Sequence, residues 1–187
     1  MNYTTETGYN NPQTNERRIE LPYLFQFIDE TKENETLLEV GNVSPNYRDG
    51  KHTVLDYSQG KPNVIRESIV TYRPNVKFDR IVSISTFEHI AEFSKESIVD
   101  AFNNIMMNVL KPNGLMLFSI PAGYCGEMDN FIINNNFDKE IYLKRVDDKN
   151  NWEFSDRKGF EIAQYNKPFN NGNLIFVGLV KNCDEEV

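Results

Sequence analysis

The segment Leu115-Met116-Leu117-Phe118-Ser119-Ile120 carries apolar side chains at five of its six positions. Successive residues of a strand point to opposite faces, so a strand of this kind must be covered on both sides. Just before it, Ile98, Val99, Phe102, Ile105, Met106, Val109 and Leu110 follow helical spacing, which predicts a helix over Lys95–Leu110. Ser94 is its expected N-cap, Glu96 suits the positive end of the helix dipole, and Pro112-Asn113-Gly114 is its expected stop. A doubly covered strand fed by an amphipathic helix is the repeating unit of a layered α/β protein.

The rest of the chain extends that pattern. Leu21, Leu24, Phe25 and Ile28 form one apolar face of a helix over Leu21–Thr31, in which Pro22 is tolerable only near the start. Thr36–Val40 reads as a strand stopped by Gly41, His52–Asp56 as a second, Val64–Val70 as a weaker third and Asp79–Ser85 as a fourth. Beyond the apolar fifth strand, Met128–Asn135 reads as a helix. Glu140–Val146 and Asn173–Lys181 read as an antiparallel pair at one sheet edge. The fold expected is α/β, a doubly wound, mostly parallel sheet with an antiparallel edge pair.

At 187 residues, 39% hydrophobic and 26% charged, the chain fits one domain over residues 16–187 behind a polar, mobile tail at 1–15. The net charge of −8 argues against general nucleic-acid binding. A local basic patch at Lys144, Arg145, Arg157 and Lys158 reads first as solvated surface. Cys125, Cys183, His52 and His89 have no metal-ligand spacing, so neither a zinc site nor a disulfide scaffold is expected. No apolar run is long enough to span a bilayer and no signal core opens the chain, which gives a cytoplasmic expectation.

In an open parallel sheet, ligands lie beyond the carboxyl ends of the strands, at the switch in strand order. The residues there form four blocks in one order: Leu37-Leu38-Glu39-Val40-Gly41, Val54-Leu55-Asp56, Ser85-Thr86-Phe87-Glu88-His89-Ile90, and Val109-Leu110-Lys111-Pro112-Asn113-Gly114 with Ile120-Pro121. Together, over about Thr36 to Pro121, they resemble the class I S-adenosylmethionine-dependent methyltransferases, which have a Rossmann-like sheet. The resemblance implies methyl transfer from S-adenosylmethionine to a small polar acceptor such as a sugar or other metabolite. It assigns Glu39, Gly41, Asn42, Asp56, Tyr57 and Ser85 to cofactor binding, with Asp56 on the ribose hydroxyls and Tyr57, Ile69 and Ser85 near adenine. His89 is the first general-base candidate and Glu88 the second. Tyr124, Arg145 and Trp152 are candidates for an acceptor pocket, against ordinary packing.

One departure bears on function. The loop Gly41-Asn42-Val43-Ser44-Pro45-Asn46-Tyr47 has one glycine where the family pattern has three, and fifteen positions separate Gly41 from Asp56, against about 20 in a comparable dinucleotide-binding unit. At most one helical turn is expected between the first two strands. That shortening supports an alternative, an inactive methyltransferase-like binding or assembly module. A third reading is a pocket for some other nucleotide-like ligand. Dinucleotide oxidoreduction is disfavoured by the poor glycine fingerprint.

Overall fold

The computed structural model describes residues 10–58, 62–93 and 97–183. Its centre is the apolar strand, here β5 (Leu110–Pro121). Met116, Phe118 and Ile120 enter one core layer, and Leu117 the other. Around it lie β1 (Leu37–Val40), β2 (Thr53–Leu55), β3 (Val64–Ile65), β4 (Phe78–Ile84), β6 (Lys139–Arg145), β7 (Trp152–Phe154) and β8 (Leu174–Lys181), in the order β3-β2-β1-β4-β5-β8-β6-β7. The five strands β1 to β5 are parallel. Strand β8 is antiparallel to both β5 and β6, and β6 to β7. The expected α/β sheet with its antiparallel pair is therefore present, extended by a third edge strand, β7.

Helix α1 (Arg17–Asp29) covers one face with Leu21, Leu24, Phe25 and Phe27. It begins four residues before the expected start, so Pro22 lies in its second turn. The proline is exposed, as is Arg18 one turn earlier, whose carbonyl loses the bond that the proline cannot donate; the break falls on the solvent side. On the other face lie α2 (Ile90–Phe93), α3 (Ile98–Asn104), α4 (Gly126–Asn134) and α5 (Arg157–Ile162). Phe87, Phe102, Phe118 and Phe176 are packed there, with Phe87 and Phe102 ring centres 5.0 Å apart.

Other boundaries differ from expectation too. The third strand is only Val64–Ile65, because a turn at Ser68–Tyr72 lifts the chain out and buries Ile69 and Tyr72 in the core. Ser94, Lys95 and Glu96, the expected start of the long helix, lie outside the described residues; Ser97 caps α3, its hydroxyl accepting from the Asp100 N–H at 3.1 Å. The helix widens into a π-turn over Ile105–Val109 and ends before Pro112-Asn113-Gly114. Leu110 is already extended and paired with Phe78, and the bulge at Lys111–Gly114 restores register so that Leu115 pairs with Arg80. Tertiary pairing with β4, not the turn residues, ends this helix.

The β1–β2 crossover holds a single 3₁₀ turn, Ser44–Asn46, as the short spacing requires. Arg48 secures it to α1: its guanidinium pairs with Asp29 at 2.7 Å and lies over the Phe25 ring at 4.2 Å.

Candidate functional site

The strand order reverses between β1 and β4, and the carboxyl ends of these strands meet closely. Gly41 follows β1 with φ +91°, a conformation that disfavours any side chain. A β-carbon there would lie 2.8 Å from Thr86 Cγ2 and 2.9 Å from Thr86 Cβ, with Oγ1 nearer still. The Gly41 N–H donates to the Leu55 carbonyl (2.8 Å) and the Asn42 N–H to Asp56 Oδ2 (2.9 Å), which ties the loop to the end of β2. Ser58 donates to the other Asp56 oxygen through its N–H and hydroxyl.

Beside this junction opens a cavity of about 320 Å³. Val40, Leu55 and Ile69 supply apolar wall; Gly41, Asn42, Asp56 and Tyr57 form one side, and Ser85, Thr86, His89 and Ile90 the other. Seven expected site residues thus share one cavity: Gly41, Asn42, Asp56, Tyr57, Ile69, Ser85 and His89. Glu39 and Glu88 do not line it.

Glu39 is 1% exposed, and its partners are the loop itself. One oxygen accepts from the Val43 and Ser44 N–H groups at 3.0 and 2.7 Å. The other accepts a short bond from the Ser44 hydroxyl and lies 2.6 Å from His52 Nε2. This buried carboxylate holds together the 3₁₀ turn that replaces a full crossover helix.

Across the cavity, Ser85 follows β4 with φ +40° and its hydroxyl donates to Glu20 Oε1 (2.7 Å). Ser119 donates to the same oxygen (2.6 Å), and Arg17 pairs with the other through a short contact. Glu88, in the turn Phe87–His89, is 2% exposed, and its Oε2 has no hydrogen-bond partner. Burial pushes its carboxyl well above the usual range, and the negative charges of Glu20 and Glu16 add to the rise while Arg17 opposes it. Glu16, close to Glu20 and Arg17, is raised mainly by burial and then by Glu20.

His89 Nδ1 lies 2.8 Å from Glu92 Oε2, and this bond holds the Glu92 carboxyl below its ordinary value. The Tyr124 hydroxyl donates to the other Glu92 oxygen (3.0 Å). Tyr124 stands edge-on to both His89 and Tyr165, each pair with centres 4.9 Å apart.

Of the acceptor-pocket candidates, only Tyr124 reaches this region. Arg145 and Trp152 pair across β6 and β7 at the far edge of the sheet. The basic patch divides: Lys144 and Lys158 are exposed, with Lys144 near Glu153 (3.4 Å), Arg157 pairs with Glu140 (2.6 Å), and Arg145 is buried, donating to the Asp147, Asp148 and Asn170 carbonyls. Glu16, Arg17, Glu20 and His52 were not expected at the site. Glu20 carried a signal, since it precedes Leu24 by four positions and so lies on the apolar face of α1. Among the described residues no cluster of His, Cys, Asp and Glu is arranged to hold a metal, and no helix is long and apolar enough to cross a membrane.

Two crystal structures of the N-methyltransferase NodS from Bradyrhizobium japonicum WM9 superpose on this chain. The one in complex with S-adenosyl-L-homocysteine gives a TM-score of 0.57 at 13% identity, covering 96% of this chain and 92% of that one. The other gives 0.51 at 11% identity, covering 90% and 99%. No family model and no curated protein matches the sequence. At these identities the likeness is one of architecture, and it agrees with the strand order and the four blocks: this chain has the fold of the class I S-adenosylmethionine-dependent methyltransferases.

Proposed function

We propose that the protein transfers the methyl group of S-adenosylmethionine to a small polar acceptor, a sugar or other metabolite. The observation that carries this reading is the cavity at the β1/β4 switch point, bounded by a glycine turn, a strand-end aspartate and the Ser85–Ile90 segment. NodS, of the same fold, binds S-adenosyl-L-homocysteine in its crystal structure. The residues suit such a ligand. Gly41 and Asn42 line the cavity, which brings them within reach of the methionine part. Asp56, a carboxylate at the cavity wall, is an acceptor for a vicinal diol. Tyr57 and Ile69 offer a ring and an aliphatic surface to adenine beside it, with Ser85 opposite. Glu39 acts on the cofactor through the loop it clamps.

The sulfonium supplies an activated methyl group, which leaves the protein to orient the acceptor and remove its proton. His89 at the cavity wall and Glu88 behind it are the groups suited to that transfer. Isothermal titration with S-adenosylmethionine and S-adenosylhomocysteine, on the native chain and Asp56→Ala, tests the reading. Saturable binding that weakens in the variant supports it. No binding to either ligand at millimolar concentration sinks it, and favours a binding or assembly module, to which the single 3₁₀ turn between β1 and β2 already lends support.

A further inference from the structure

Glu92, and not the adjacent Glu88, shares the cavity with His89. Its Oε2 lies 2.8 Å from His89 Nδ1. A pair at this spacing on a half-exposed helix turn contributes little to stability by itself. Two further contacts set this one apart. The Tyr124 hydroxyl, from the loop beyond β5, donates to Glu92 Oε1 at 3.0 Å, so each carboxylate oxygen has its own partner from a different element. The Tyr124 ring also stands edge-on to the imidazole, with Tyr165 edge-on to Tyr124 in turn. The histidine ring is thus held by a hydrogen bond and by an aromatic contact, both of which lead back to Tyr124.

The carboxylate decides which imidazole nitrogen carries the hydrogen. The bond from His89 holds the Glu92 carboxyl below its ordinary value, so it is ionised and can only accept. The Tyr124 phenol is pushed up to about 12, chiefly by burial and then by Glu92, so it keeps its proton and donates. Nδ1 of His89 therefore bears the hydrogen, and in the neutral ring the lone pair is on Nε2. His52 is wired the other way, with Nε2 against Glu39 at 2.6 Å.

We propose that Glu92, anchored by Tyr124, is a positioning residue that holds His89 in the Nδ1–H tautomer, so that Nε2 takes the acceptor's proton during methyl transfer; this rests on the methyltransferase reading above. For an acceptor hydroxyl, an oxygen lone pair forms the new O–C bond as the C–S bond of the methylsulfonium donor breaks, its electron pair leaving on sulfur. The hydroxyl proton passes to Nε2. The positive charge moves from sulfonium to imidazolium, so the step balances. That imidazolium forms with the Glu92 carboxylate already against its Nδ1–H, which is the service a third group gives an oriented base.

The test is the imidazole nitrogen spectrum of the full chain, isotope-labelled at its histidine nitrogens and recorded with the rings neutral. The chain has two histidines, and the His89→Asn spectrum assigns the signals. Native His89 should show Nδ1 as the N–H nitrogen and Nε2 as the lone-pair nitrogen, the reverse of His52. Glu92→Leu, which cannot accept, should reverse or mix the His89 tautomers and leave the His52 signals in place, which also shows that the variant is folded. Glu92→Gln keeps a carbonyl acceptor and should restore the native form. Saturating S-adenosylhomocysteine should shift the His89 signals of native protein. Native His89 with its hydrogen on Nε2, a tautomer indifferent to Glu92→Leu, no restoration in Glu92→Gln, or His89 signals unmoved by bound S-adenosylhomocysteine each overturns the assignment. Failure of S-adenosylhomocysteine to bind native protein marks failure of the methyltransferase reading instead.

Discussion

Replacing Gly41 by alanine tests the junction on which the cavity depends. Two costs combine. At φ +91° an L-residue is strained, by about 1–2 kcal/mol. The new methyl group also meets three atoms of Thr86, and rotating that side chain cannot clear them, because its Cβ itself lies 2.9 Å away. The ends of β1 and β4 must part, a form of overpacking worth about 1–3 kcal/mol. The sum is about 2–5 kcal/mol, within the about 5–15 kcal/mol of a typical domain, so the variant should fold but with a spread cavity mouth. Urea unfolding of Gly41→Ala, Thr86→Gly and the double variant separates the terms. Thr86→Gly should recover the packing part, a coupling of about 1–3 kcal/mol, and leave the backbone strain. S-adenosylhomocysteine affinity should fall in Gly41→Ala and partly return in the double variant. Additivity within about 0.5 kcal/mol would falsify the close approach of the two strand ends.

Glu39→Gln places an amide where the carboxylate now accepts from Val43, Ser44 and His52; it should cost about 1–3 kcal/mol in urea unfolding and weaken S-adenosylhomocysteine binding, and unchanged binding would show that the loop does not need its clamp. Glu20→Ala removes the carboxylate from the buried Arg17 guanidinium and should destabilise by about 3–5 kcal/mol, a value under about 1 kcal/mol being incompatible with a dry ion pair. Burial opposes ionisation of Asp79, but Lys111 and the Thr36 N–H and hydroxyl outweigh it and hold its carboxyl at about 2. Because the folded value is depressed from 3.8, the stabilisation is fully present above pH 3.8 and is lost as pH falls through about 2. Lys111→Met should therefore shift the acid limb of the stability profile upward and cost about 1–2 kcal/mol at neutral pH, after discount for solvent screening; an unmoved acid limb would contradict this.

The strand and helix pattern was legible because it is local. The apolar run at Leu115–Ile120 demanded two covered faces, and α1 with the Phe87 and Phe102 layer supplies them. Gly41 was marked by its place after an apolar strand, and fifteen residues to Asp56 left room for only a turn. What partners these residues found was not legible, since it depends on contacts between distant parts of the chain. Glu39 was assigned to the cofactor by resemblance, and the fold turned it onto Ser44 and His52 rather than the cavity. The helix before β5 read as running to Leu110, yet pairing with Phe78 draws that residue into the sheet. Glu20 on α1 meets Ser85 and Ser119, which lie 65 and 99 residues away. Periodicity fixes which face a side chain occupies; only closure of the sheet beneath α1 decides which charges share a dry interior.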